Sequence, residues 1–244
     1  MPVEIVEIID RSTQGMTFPF ICRGEDGNIY FVKGRGAGRR SLVCEWIAGA
    51  LARHLGLPIA PFEVVSISED LIGLASRPDL ADLGAGLAFG SCRRAITELT
   101  VAHRDQIPVA LQRDVLMFDW WIKNGDRTQT DVGGNPNLFW DVESNSLLVL
   151  DHNQAFDPEF SPKIFGELHP FRAHIDRIFS DMVDRDAYAT RFEAAMATWD
   201  AICDTVPPDW WYLDPECTIP LEFDRHTLKL LLLDCRSNAF WTMP

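Results

Sequence analysis

Residues 107–127 read IPVALQRDVLMFDWWIKNGDR, and this stretch decides how the chain is organised. Leu111, Val115, Phe118 and Ile122 recur at helical spacing, while Met117, Trp120 and Trp121 cover the remaining faces. A helix apolar nearly all round is a buried helix. The run stops in Asn124-Gly125-Asp126-Arg127. The carboxylate of Asp126 therefore stands on a turn anchored by a core helix.

Downstream, Asn135-Pro136-Asn137 enters NLFW (137–140), which with SLLVL (146–150) reads as a hairpin; Asp151 leaves the second strand. Tyr188, Phe192, Met196, Trp199, Ile202 and Val206 then keep helical spacing, and Leu228–Leu233 lie in another helix candidate. Residues 101–244 are thus predicted to be a mostly helical unit carrying two polar loops.

Upstream the period changes. VEIVEII (3–9), PFICR (19–23) and NIYFVK (28–33) read as strands of an antiparallel meander, with Glu25-Asp26-Gly27 as a hairpin turn. The loop GRGAGRR (34–40) follows, flexible and positive. Ser41 is an N-cap candidate for a helix over 41–55, whose stripe is Leu42, Trp46, Ile47, Ala50, Leu51, His54 and Leu55, stopped by Gly56. FEVVSIS (62–68) and LIGLAS (71–76) read as two more strands, before a Gly-rich stretch at 84–90. The fold class is α+β: a small antiparallel sheet plus helix over 1–100, then a helical 101–244.

With 47% apolar residues and no sustained repeat, the chain is globular rather than disordered or fibrous. No apolar run reaches the ~18–20 residues of a membrane span, and the acidic opening MPVEIVEIID is not expected to be a secretory leader. The net charge is −14, unevenly spread: residues 1–100 carry 10 basic and 12 acidic side chains, residues 101–244 carry 12 and 24. A phosphate backbone wants the opposite sign, so neither nucleic acid nor a membrane surface is an expected partner. The six cysteines make no C-x-x-C pair and the six histidines are scattered, so no zinc spacing arises. Reduced thiols in the cytoplasm are the simplest expectation.

The chain has only four lysines. Lys33 closes the strand Tyr30-Phe31-Val32-Lys33, and the next helix carries Glu45 off its apolar stripe. An ammonium paired with such a carboxylate can be held against the phosphates of a nucleotide; the alternative is a surface lysine at a strand end. Later come Asp126, an asparagine at a strand start and Asp151 at the following strand end. Phosphoryl transfer uses such a set: one carboxylate orients the acceptor hydroxyl, while an amide oxygen and a second carboxylate hold Mg²⁺. Any one of these Asp residues alone is more simply a turn former.

The series Tyr30-Phe31-Val32-Lys33, Glu45 with Leu55-Gly56-Leu57-Pro58, Phe89-Gly90-Ser91, Phe118 through Arg127, Asn135-Pro136-Asn137-Leu138 and Leu150-Asp151 resembles the HipA-like kinase family, in particular its short, stand-alone branch. The resemblance runs from about Gly15 to Phe240-Trp241, and the Asn-x-Asp-Arg and Asn-Pro-Asn-Leu segments are its most specific parts. It implies a two-lobed, protein-kinase-like fold, ATP and Mg²⁺ as cofactors, and transfer of phosphate to a hydroxyl, first a protein serine or threonine. HipA proteins proper are toxins held by a DNA-binding antitoxin; the shorter chain and its acidity argue against that partner here. Carried over, Lys33 contacts ATP phosphates, Glu45 pairs with Lys33, Asp126 is the catalytic aspartate, and Asn137 and Asp151 ligate Mg²⁺.

Two departures stand out. Kinase-type sites place the metal asparagine about five residues after the catalytic Asp, but position 131 is Asp, and the asparagines stand at 135 and 137. Asp131 or Asn135 is therefore an alternative to Asn137. No Gly-x-Gly-x-x-Gly precedes Lys33; the turn Gln14–Thr17, with Gly15 and Thr17, is the one hairpin placed to cover phosphates. A small-molecule or lipid kinase, and a nucleotide-binding pseudokinase or protein-interaction module, are the competing readings.

Overall fold

The structure is a computed structural model that describes residues 1–13, 18–74 and 77–243. The described chain divides into two compact units. The first comprises Met1–Trp46, Ala60–Ala95 and Val206–Phe223; the second comprises Ile47–Ile59, Ile96–Thr205 and Asp224–Pro244.

In the first unit, β1 (Val3–Arg11), β2 (Phe20–Gly24), β3 (Ile29–Lys33), β4 (Phe62–Ile67) and β5 (Gly86–Cys92) form a closed barrel in the order β1-β2-β3-β5-β4. The expected small antiparallel sheet is thus a barrel. Its closure is a parallel pairing of Val3 with Val65 and Glu4 with Ser66, which a meander pattern cannot announce. Alternate residues such as Ile5, Phe20, Cys22, Tyr30, Val32, Val65 and Ala88 fill the inside. The Gly-rich stretch near 84–90 is β5, which pairs with both β3 and β4. At Gly90 an added Cβ would lie 2.6 Å from Val65 Cγ1, so the barrel closes there only around a glycine.

Helix α1 (Arg39–His54) follows β3. It starts two residues before the expected 41, directly after Gly38 at φ +80°, and a 3₁₀ turn over Arg35–Ala37 orders the preceding loop. The stretch 71–76, read as a strand, is instead helix α2 (Glu69–Leu74) over its described part. Ser68 Oγ accepts the Leu71 N–H at 3.2 Å, and Glu69 and Asp70 occupy the first turn; these capping features outweigh the apolar run Leu71-Ile72. A short helix α3 (Leu80–Leu83) completes the unit and touches the 3₁₀ turn, where a Cβ at Gly34 would meet the Leu83 carbonyl at 2.1 Å.

The second unit holds a three-stranded antiparallel sheet of β6 (Ile96–Glu98), β7 (Leu138–Asp141) and β8 (Ser146–Val149). Its helices are α4 (Val101–Gln106), α5 (Val109–Trp121), α6 (Pro162–Leu168), α7 (Ile175–Ser180), α8 (Met182–Met196), α9 (Trp199–Asp204) and α10 (Arg225–Leu233). The single helical pattern through 188–206 is two helices, because Thr198 Oγ1 donates to the Ala195 carbonyl at 2.7 Å where α8 ends. Helix α5 is buried over Val115–Trp121. Trp121 stacks on Phe192 at 4.4 Å, and the indole N–H groups of Trp120 and Trp121 donate to the Phe240 and Leu232 carbonyls. These tryptophans are core, each with its polar atom satisfied. Burial also pushes the Cys22 and Cys44 thiols of the first unit up to about 12, which leaves them inert packing groups. No described helix is long and apolar enough to cross a membrane.

Candidate active site

The site residues of the first unit lie on β3 and α1. Lys33 is the last residue of β3, and its Nζ pairs with Glu45 Oε1 on the second turn of α1. Both side chains are largely buried, at 11% and 5% exposure. The rigid barrel strand sets the lysine and the helix sets the carboxylate, so the pair depends on how α1 is held. Gly15 and Thr17, the expected phosphate-covering turn, lie outside the described residues.

The second unit explains the Asn124-Gly125-Asp126-Arg127 motif. Its residues divide by direction. Asn124 and Arg127 turn inward onto Asp119, a carboxylate in the middle of the buried face of α5. Asn124 Nδ2 donates to Asp119 Oδ1 at 2.8 Å, and Arg127 Nε donates to Oδ2 at 2.6 Å. His169 Nε2 meets the same Oδ2 at 3.1 Å. The Phe171 backbone N–H donates to His169 Nδ1 at 3.1 Å, so that nitrogen has no proton. The imidazole is therefore the neutral Nε2–H tautomer donating to Asp119. Burial lowers the His169 pKa, against the pull of Asp119. Burial alone would raise the Asp119 carboxyl, but Arg127 and His169 overcome it and hold it well below the usual carboxylate range.

Arg127 passes this anchorage on. Its Nη1 donates to the carbonyls of Pro136 at 3.0 Å, Asn137 at 2.9 Å and Leu150 at 3.3 Å. The three carbonyls belong to the two ends of the β7–β8 hairpin, and the Leu150 N–H returns to the Asn137 carbonyl at 3.0 Å. One buried guanidinium thus pins the backbone of Asn137 and the residue before Asp151.

Asp126 turns the other way. Its Oδ2 accepts from Asn135 Nδ2 at 2.8 Å and from Asn137 Nδ2 at 3.2 Å. The two asparagines of Asn-Pro-Asn therefore converge on the proposed catalytic carboxylate. Asp151 leaves β8 half-buried at the hairpin end where Asn137 enters β7. Lys123, Asn137, Asp151 and Phe156 all adopt left-handed backbone, φ +54°, +48°, +59° and +59°. Non-glycine residues held there cost energy, and such strain gathers at functional sites. Asp131 stands exposed on the Thr130–Gly133 turn.

Sequence reasoning missed Asp119 and His169. Asp119 had a signal: a lone acid inside the apolar run Leu116-Met117-Phe118-Asp119-Trp120-Trp121 needs a buried cation. His169 had none, since it reaches Asp119 across 50 residues.

Asn137 and Asp151 fit Mg²⁺ by donor chemistry. With Nδ2 spent on Asp126, the asparagine offers its amide oxygen, and Asp151 adds a carboxylate; two hard oxygens with the rest of the shell left to water and phosphate is the usual Mg²⁺ arrangement. Among the described residues no cluster of three or more His, Cys, Asp or Glu exists that would form an all-protein cage.

A family model described as HipA-like kinase matches residues 5–244. No curated protein matches the chain. Among solved structures it is similar to the crystal structure of a Helicobacter pylori proinflammatory kinase, CtkA, at 9% identity and a TM-score of 0.48, over 97% of this chain and 95% of that one. By the family match over nearly its whole length, the chain belongs to the HipA-like kinases.

Proposed function

We propose that the protein is an ATP- and Mg²⁺-dependent kinase that transfers the γ-phosphoryl group to a protein serine or threonine hydroxyl. In this reading the chain is a two-lobed kinase, with residues 1–100 handling the nucleotide phosphates and 101–244 supplying the catalytic and metal-binding loops. The observation that carries it is the Asp126 carboxylate, mounted behind a core helix and held by Asn135 and Asn137 beside a hairpin whose ends one arginine pins.

Each residue has one task. Lys33 contacts the phosphates and Glu45 keeps its ammonium in place. Asp126 orients the acceptor hydroxyl and takes its proton at a carboxylate oxygen. Asn137 and Asp151 would hold the metal. When bound, ATP and Mg²⁺ supply the transferable group and the charge that offsets its oxygens. The acidity of residues 101–244 suits a neutral or basic peptide acceptor better than an anionic headgroup. We place the reaction in the cytoplasm, where ATP is present and buried thiols stay reduced.

The test is incubation of the protein and its Asp126→Asn variant with γ-labelled ATP and cell extract. Asparagine keeps an oxygen that can accept from Asn135 and Asn137, so stability should change by less than about 1 kcal/mol. Transfer should fall on the order of 10²–10⁴-fold, with ATP affinity nearly unchanged. A stable variant with undiminished transfer overturns the reading. ATP binding without transfer by the unaltered protein makes it a pseudokinase.

A further inference from the structure

The segment Val206–Phe223 lies between α9 and α10 in sequence, yet it packs in the first unit. It is a small closed strap. The Leu213 and Leu221 N–H groups bond the Ile219 and Trp211 carbonyls, and Tyr212 bridges Pro220. Its landing place is the start of α1. Trp210 is fully buried and donates its indole N–H to the Leu87 carbonyl on β5 at 3.2 Å. Its ring meets Trp46 edge-on at 6.3 Å, Trp46 meets Phe62 at 5.2 Å, and Phe62 stacks on Phe89 at 5.4 Å. Phe89 is the residue paired with Lys33 across β3 and β5. A continuous aromatic run thus joins the strap, the neighbour of Glu45 on α1, and the strand beside Lys33.

Charge supports the same contact. Helix α1 opens with Arg39 and Arg40 and has no acid in its first turn, the wrong polarity for a helix N-terminus. The strap offsets this. Asp209 Oδ2 lies 3.3 Å from Arg39 Nη2, and Phe223 underlies the Arg40 guanidinium at 5.6 Å.

We propose that Asp209 and Trp210 are positioning residues for the Lys33–Glu45 pair: the strap fixes the first two turns of α1 and so decides whether Glu45 reaches Lys33. Its consequence for activity rests on the reading above that Lys33 contacts nucleotide phosphates.

With only four lysines in the chain, the Lys33 side-chain signal can be assigned by NMR through Lys33→Met. Glu45→Gln gives the signal of the broken pair. Asp209→Asn and Trp210→Phe should each move the Lys33 signal toward that reference and lower kcat/KM for ATP about two- to fivefold, the scale of a part-exposed pair or one hydrogen bond. Combined with Glu45→Gln, neither should slow transfer further. An unmoved Lys33 signal, or losses that add in full to that of Glu45→Gln, overturns the proposal and leaves the strap a stability element. Should Trp210→Phe fail to fold, Asp209→Asn, at a part-exposed side chain, decides alone. The NMR arm does not depend on activity, so normal transfer by Lys33→Met would remove the phosphate role of Lys33 and still leave the strap judged.

Discussion

The Lys33–Glu45 and Asp119–Arg127 pairs are both short ion pairs out of bulk water, but they are built in opposite ways. Lys33 is a flexible point charge meeting a carboxylate on a different element, and both side chains keep some exposure. Arg127 is a planar fork with no exposure, meeting a carboxylate with no exposure, and its Nη1 is spent on three backbone carbonyls. The first arrangement can break and re-form as a helix shifts. The second cannot open without stranding charge in the core. On the proposed reading, a pair that serves a ligand joins two elements that can shift, whereas a pair that serves the backbone is locked to the carbonyls it holds.

This contrast is open to attack in order of effect. Asp119→Ala should strike hardest at stability: it leaves Arg127 buried and uncompensated, at a cost of about 3–5 kcal/mol. Urea unfolding should show a sharply lower midpoint, and a midpoint within error of the unaltered protein would mean the network bears no load. Lys33→Met should do the reverse, lowering transfer on the order of 10²–10³-fold while the urea midpoint falls far less than in Asp119→Ala, because the Glu45 carboxyl left behind can take up a proton where a buried guanidinium cannot lose one. If it unfolds the chain instead, the two pairs are alike and the comparison fails.

His169 sharpens it through pH. Its folded pKa is depressed below the ordinary 6.5 by burial. The unfolded chain therefore binds the proton more readily, and stability falls as pH drops below about 6.5 toward the folded value. His169→Gln can donate to Asp119 and accept from the Phe171 N–H without titrating, so the slope of stability against pH below 6.5 should flatten. His174, depressed by burial in the same direction, contributes to the slope that remains, as do carboxylates such as Asp119 at lower pH. An unchanged slope would mean that His169 does not carry the acid sensitivity. The smallest effect is expected at Asp131, exposed on its turn. Asp131→Ala should alter stability by less than about 0.5 kcal/mol and leave the Mg²⁺ dependence of transfer unchanged; a raised Mg²⁺ requirement would make Asp131 the metal ligand in place of Asn137.

Local pattern was enough for the elements that depend on near neighbours. The alternation in Val3–Ile9, the turn at Gly27 and the all-round apolar face of 111–122 each encode burial at a fixed period, and β1, the β2–β3 hairpin and α5 follow. The pairing of Lys33 with Glu45 was also legible, since one strand end and the next helix are 12 residues apart. What the sequence could not yield was any contact made by closure over distance. Nothing in Gly86–Cys92 marks it as the strand between β3 and β4, because Gly90 is required by Val65, a residue far back in the chain. Nothing near 206–223 points to α1, and nothing near His169 points to Asp119. Asp119, Arg127 and His169 become one network only when α5, the β7–β8 hairpin and the end of α6 are packed together. Residue types and spacing set which polar groups the loops carry; tertiary packing alone decided that Asn124 and Arg127 face inward onto Asp119 while Asp126 meets Asn135 and Asn137 instead, because each orientation depends on partners that packing brings together.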